Sequence, residues 1–508
     1  MSGTPTVLTL SQAAMRQVHD VLGGKSNALA EAVAQTRKLR GRGEVVWRGV
    51  LTPATIHHIG GLSALASEHG AITDFEPQGL DEREQAFLKD YATYGPAAAK
   101  GIDGGGTLSA LVSAGSEAAY ALWQMRPRAK RGKRPSKGGK AVIIGAYGGD
   151  HIGDTAILGG VLMHLKNTFG ISSADVLSSR PEHTARLIQG LDSLVSVSVF
   201  PYTPRMIGKR LHDAVLLIIA GGPVMDLPRV LARHLASAHK ARALGAQFHV
   251  ERVGVGPFRR KLSRIAARHL LEQAETISLR TTGASKDPTL AGLSFSVGCD
   301  PAFDYLGARQ ALDRTTGAIE EATQLLAGTD GHARVGINLR PIRHAWAAKG
   351  ANFSREADER FYHELALGMR CIAKNSPRPV TFVFFPMNPI EFGMSDLAAA
   401  YRLHKLLGDG VDFRVWEADP DVDDVLWLLR KLDAVLAMRF HAAIFAISQQ
   451  RPAFGIDYYP GEGGKVEQLF EDIGRPDDAV RMDLFSSDWL VKKLQRVSSR
   501  PAVAEQSA

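Results

Sequence analysis

The chain has 508 residues, 45% hydrophobic and 22% charged, a composition that fits two or three cored globular domains and excludes a disordered or fibrous chain. Two cysteines, Cys299 and Cys371, exclude a disulfide framework, and Cys371 is expected to be a buried small hydrophobe. The net charge of +8 arises in one segment: residues 126–140, RPRAKRGKRPSKGGK, hold eight bases and no acid, and without them 53 bases face 53 acids.

A body that is neutral elsewhere, with no aromatics among those bases, argues against nucleic-acid binding. The segment is read as a solvated linker, the alternative being a patch that contacts an anionic membrane surface. No apolar run reaches the length of a membrane span, and MSGTPTVLTLSQ lacks the pattern of a secretory signal. A cytoplasmic location, with the inner membrane face as an option, is the expectation.

Residues 1–125 read as a mainly helical extension of unknown role, with runs such as SQAAMRQVHDVL and SNALAEAVAQTRKLR. After a basic linker over 126–139, short β-rich runs alternate with helices: AVIIGA (141–146), LVSVSVF (194–200), AVLLIIA (214–220), FHVERVGVG (248–256) and TISLR (276–280). This pattern predicts βαβ units over 140–310. A polar, helix-forming connector spans 311–332. The alternation then restarts over 333–485 with RVGINL (334–339), VTFVFF (380–385), FRVWE (413–417), AVLAM (434–438) and AFGID (453–457). A helix and tail close the chain over 486–508. The expected fold is α/β, two doubly wound Rossmann-like domains facing a cleft.

Ligands of open parallel sheets bind beyond the carboxyl ends of strands. In the first half those ends lead to Tyr147, Asp150, His151 and Asp154, to Gly221 and Gly222, and to Arg280. In the second half they lead to Arg340 and His344, to Arg439 and His441, and to Tyr458 and Lys465. One side offers hydroxyls and carboxylates, the other cations. That division predicts a transferase with an anionic donor on the second domain and a hydroxyl acceptor on the first. Arg439 and His441 stand just before the helix AAIFAISQQ, where backbone amides favour an anion. The competing reading has His441 capping that helix and Arg439 paired with a structural acid. Asp154 is read either as an N-cap for TAILGGVLMHL or as a general base. The spacing of Asp150, His151 and Asp154 requires no metal, and none is assigned.

The ordered motifs resemble a known family. G-A-Y-G-G-D-H-I-G-D-T (145–155), A-G-G-P-V-M-D (220–226), V-G-V-G-P (253–257), S-L-R-T-T-G-A-S (278–285), D-P-A-F (300–303), V-G-I-N-L-R-P (335–341), M-R-F-H-A-A-I-F-A-I (438–447) and G-I-D-Y-Y-P with Lys465 resemble, in order, the motifs of polysaccharide pyruvyl transferases. Pro223, Thr281 and His151 depart from the family's usual glycine, aspartate and asparagine. The resemblance implies a glycosyltransferase B-like fold. It also implies phosphoenolpyruvate as co-substrate, with no further cofactor, and a sugar or lipid-linked oligosaccharide in cell-surface or exopolysaccharide synthesis as acceptor. It further implies that Arg439 and His441 hold the donor with help from Arg340, Arg280 and Lys465. His441 is then the acid, and Asp154 or Asp150 the base. The alternatives are a nucleotide-sugar glycosyltransferase using Asp457 or Glu462 for a ribose, and a non-catalytic glycan-binding or assembly protein.

Overall fold

The structure is a computed structural model. It describes residues 5–17, 27–39, 44–52 and 71–80 with single positions between them and at 85 and 88, then 139–148, 152–256, 258, 260–309, 314–342, 355–388, 396–459 and 464–498. The glycine run at 101–106, the basic residues 126–138, Asp150, His151, His344 and Glu462 lie outside the described residues. The chain forms two compact units, a first of residues 100–310 and a second of residues 311–508 with 1–99. No helix among the described residues is long and apolar enough to cross a membrane.

The N-terminal region holds the helices Gln12–Met15 and Ala28–Leu39. To these the structure adds a parallel sheet of β1 (Thr6–Thr9), β2 (Val45–Leu51) and β3 (Ala71–Pro77), in the order β1-β2-β3. Trp47 anchors it. The indole is fully buried among Met15, Leu29 and Leu51, and its Nε1 donates to Thr36 Oγ1 at 2.8 Å, so the helix and the sheet are tied through a satisfied buried donor.

Residues 100–310 carry β4 (Lys140–Ile144), β5 (Ser173–Ser178), β6 (Ser196–Pro201), β7 (Ala214–Ile219), β8 (Pro223–Val224), β9 (Gln247–Val255), β10 (Thr276–Leu279) and β11 (Ser296–Val297). All pairings are parallel, in the order β11-β10-β9-β7-β4-β5-β6, with β8 beside β9. Strand β5 escaped the sequence reading because SADVLS is half polar. Its Asp175 is buried and receives Lys140 Nζ at 2.6 Å. The last base of the 126–140 run therefore belongs to the sheet, where it neutralises an interior carboxylate.

The second unit repeats the plan. Strands β12 (Ala333–Asn338), β13 (Val380–Phe384), β14 (Asp412–Val415), β15 (Ala434–Ala437), β16 (Ala453–Asp457) and β17 (Ala479–Arg481) run parallel in the order β14-β13-β12-β15-β16-β17. The helix Gly317–Leu326, expected as a connector, is integrated into this unit. Thr316 caps it and donates to Asp424 at 2.8 Å, and Arg314 reaches Asp421 and Asp424. In both sheets the chain builds outward from a central strand, β4 or β12, and then turns back to the other side. With right-handed crossovers this reversal puts helices on both faces.

A buried pair in the first unit ties its stability to pH. Tyr202 Oη lies 2.8 Å from His234 Nδ1, and both side chains are buried. Burial pushes the His234 pKa from 6.5 down to about 3. Folded His234 stays neutral while the unfolded residue titrates near its usual value, so its contribution is full above that value and is lost as pH falls. The loss is about 1.4 kcal/mol per pH unit, or roughly 2 kcal/mol between pH 6.5 and 5. Urea unfolding of wild type and His234→Gln at both pH values checks this; equal acid sensitivity in the two proteins would refute it.

Candidate functional site

A doubly wound sheet opens its crevice where the strand order reverses. In the first unit that point lies between β4 and β7, and in the second between β12 and β15. Many strand ends were candidates from sequence; the topology selects these two.

At the first, Gly145 and Gly148 are steric requirements. A Cβ on Gly145 would stand 1.8 Å from Ala220 O, and Gly148 has φ 105° with Ser179 Oγ where its Cβ would go. Gly221 and Gly222 turn with φ 76° and 99°. Tyr147 lies beneath this turn, 4% exposed. A Cβ on Gly221 would be 2.7 Å from its phenolic oxygen. That hydroxyl has no hydrogen-bond partner among the described residues. Burial first, then the Asp154 and Asp300 carboxylates, push the Tyr147 pKa well up, so the group remains a proton-bearing donor. A cavity of about 10 Å3 lies between Tyr147, Asp154 and Thr184, room for a single water or hydroxyl. Because no bond is lost in the folded protein, Tyr147→Phe is expected to leave thermal stability unchanged or raise it by about 1 kcal/mol. A loss larger than that would mean the hydroxyl is already satisfied.

Asp154 is half-buried and is the third residue of the helix Ile152–Phe169, not its N-cap. The helix starts three residues earlier than expected because Ile152 is drawn into the core. The carboxylate still stands in the first turn, where the helix dipole favours it. Arg280 is buried at the end of β10, in this same unit, and donates from Nη1 to Asp300 Oδ2 at 3.2 Å. Asp300 in turn caps the helix Pro301–Ala308, its Oδ1 accepting from Ala302 N at 3.0 Å.

At the second reversal, Asn338 joins three strand ends. It closes β12, donates from Nδ2 to Phe385 O at 2.9 Å, and accepts from Arg439 N at 3.2 Å. The Arg439 side chain is 5% exposed. Its Nε lies 2.7 Å from Asp396 Oδ2, and its Nη2 lies 2.5 Å from Oδ1. Asp396 is fully buried at the start of the helix Asp396–Leu407 and also accepts from Met387 N and Asn388 N. Of the two readings of Arg439, the structure shows a pair with an interior acid.

Arg439, not His441, occupies the N-cap position of the helix Phe440–Ser448. His441 is the second helical residue and is half-buried. Arg340 is half-buried as well; its Nη1 donates to Tyr458 Oη at 3.2 Å and its guanidinium lies 4.8 Å from the Tyr458 ring centroid. Lys465 opens the helix Lys465–Asp472. Asp457 is buried behind it, with Oδ1 accepting from Tyr459 N at 2.8 Å and Oδ2 from Val466 N and Glu467 N at 2.7 and 2.9 Å. Sequence reasoning missed Asn338 and Asp396, which carry no local signature. Asp300 was signalled by the Asp-Pro pair at a helix start. Cys371 is half-buried and not the core residue expected; its sulfur accepts from Asn375 Nδ2 at 3.3 Å.

Two parallel sheets with reversal points, one lined by a tyrosine, an aspartate and glycine turns and the other by half-buried cations, define an α/β protein with the residue types of a group-transfer enzyme. The sequence pattern of the polysaccharide pyruvyl transferases matches residues 151–459, and the chain belongs to that family. It is similar in structure to a UDP-GlcNAc 2-epimerase from Methanocaldococcus jannaschii (TM-score 0.46, 10% identity, covering 72% of this chain and 93% of that one). It is also similar to an O-GlcNAc transferase mutant from Thermobaculum terrenum (0.43, 12%, 96% and 89%) and to the ADP-heptose heptosyltransferase II of E. coli (0.38, 12%, 71% and 98%). No curated protein matches it in sequence.

Proposed function

We propose that the protein transfers the pyruvate of phosphoenolpyruvate onto two hydroxyls of one sugar in a polysaccharide or its lipid-linked precursor, forming a cyclic ketal and releasing phosphate. The observation that carries this reading is the group of half-buried cationic and imidazole side chains, Arg340, His441 and Lys465, at the second sheet's strand ends. The donor bears a carboxylate and a phosphate, which two guanidinium or ammonium contacts suit. In this reading His441 protonates the methylene carbon and leaves cationic character on the central carbon. One sugar hydroxyl adds there. The second hydroxyl then displaces the C–O bond to phosphate. One hydroxyl proton replaces the one given to carbon, and the other leaves with phosphate. Asp154 or Asp150 would accept a hydroxyl proton, and Tyr147 would donate a hydrogen bond to a hydroxyl oxygen. Arg439 and Arg280, paired with Asp396 and Asp300, would hold strand ends in place without touching the donor.

The rival nucleotide-sugar reading needs an acid for a ribose. Both oxygens of Asp457 already accept from backbone amides, which weighs against Asp457 as that acid. The test is calorimetric titration of phosphoenolpyruvate into wild type and Arg340→Ala, with nucleotide sugars as competitors. Losing a charged hydrogen bond predicts binding weaker by about 10- to 100-fold in the variant, with no competition. Tight nucleotide-sugar binding and none of phosphoenolpyruvate would overturn the proposal.

A further inference from the structure

The second unit has a groove of about 960 Å3 away from the strand ends considered so far. It lies where β16 and β17 begin. The strands are parallel, so Arg340, His441 and Lys465 stand at the opposite end of the same sheet. Its walls include Trp489, Arg451, Arg475, Lys492, Lys493 and Asp478. Asp478 receives Arg475 Nε at 2.8 Å and Lys493 Nζ at 2.9 Å, which fixes those two cations. Arg451 and Lys492 have no ion-pair partner among the described residues, and Arg451 Nε is shielded from water without a hydrogen-bond acceptor. Trp489 is held rigid, with its ring 6.5 Å from Phe454 and 5.8 Å from Phe485. The groove therefore offers a fixed indole wall and two cations that no described residue neutralises.

The chemistry narrows the ligand. The volume suits an organic molecule of several rings, not a lone ion. The helix Phe440–Ser448 ends at the groove with its carbonyl terminus, which is the negative pole. Asp477 and Asp478 line it too. A compact dianion such as phosphate is disfavoured there, whereas a single carboxylate on a ring system can pair with Arg451 while a ring lies against Trp489. We propose that this groove binds an acidic polysaccharide through ring-borne carboxylates. This rests on the proposed transfer, because each cyclic ketal of pyruvate places one carboxylate on a sugar ring. The groove thus retains stretches of polymer that already carry the product while the opposite end of the sheet serves the donor.

The test uses the full chain and three probes: xanthan fragments bearing pyruvate ketals, the same fragments after mild-acid removal of the ketal, and inorganic phosphate. Wild type is expected to prefer the ketal-bearing fragments, with a change in tryptophan emission. Arg451→Gln/Lys492→Gln should weaken their binding on the order of tenfold while phosphoenolpyruvate binding and the unfolding midpoint stay unchanged. Lys492→Glu alone, at an exposed position, should act in the same direction and guards against a folding defect from Arg451. Equal binding of both fragment types, binding unaffected by the variants, or displacement by phosphate would overturn the proposal. If phosphoenolpyruvate fails to bind but the variants still lose the fragments, the groove stands and the transfer reading falls.

Discussion

Asp396→Asn is expected to lower the unfolding free energy by about 3–5 kcal/mol, because removing one member of an interior ion pair leaves the other charge stranded. Asp396 is fully buried and Arg439 is 5% exposed, so water does not compensate. The same carboxylate accepts from Met387 N and Asn388 N, and the loop after β13 loses its anchor with it. The double variant Asp396→Leu/Arg439→Met should recover much of the loss, since a hydrophobic pair of similar volume often replaces a buried ion pair without penalty. Urea unfolding of the single and double variants measures both. A loss below about 1 kcal/mol in Asp396→Asn would show that Arg439 draws its compensation elsewhere.

His441→Gln is expected to slow turnover by about 100- to 10,000-fold with little change in phosphoenolpyruvate affinity. Glutamine keeps a polar group near the imidazole's place in the first turn of Phe440–Ser448 but has no proton to deliver to carbon. Loss in kcat with the donor dissociation constant preserved separates proton transfer from charge attraction. Single-turnover phosphate release and calorimetry give the two quantities. Turnover within a few-fold of wild type would remove His441 from the role of acid.

The strands most legible in the sequence were those whose burial is continuous or broken at one residue, such as AVLAM and AVLLIIA, for which apolar run length alone suffices. Strand β5 was not, because Asp175 makes its run look like a loop until Lys140 is seen beside it. The N-terminal sheet was hidden for a different reason. Its register pairs Thr6 with Val45 and Val45 with Ala71, and pairings so distant leave no local trace. At the site, the motifs located the strand ends but not the partners. Nothing in MRFHAAIF announces that its arginine is held by an aspartate from another helix, and helix-start rules put Asp154 three residues out because they do not weigh the burial of Ile152.

The helix Ile152–Phe169 shows a bare face at Gly159 and Gly160. A Cβ there would stand 2.5 Å from the Tyr305 ring and 2.0 Å from Pro301 O, so the helix Pro301–Ala308 seats directly on its backbone. These two segments leave the ribosome far apart in time. At usual elongation speeds the earlier one waits on the order of 10 s for its cover. Until then the helix that carries Asp154 has an open flank, and a nascent chain halted before residue 301 cannot close this unit. Maturation of the first unit is thereby tied to the completion of its own last helix, which makes the interval before that point the one in which a chaperone has most to shield.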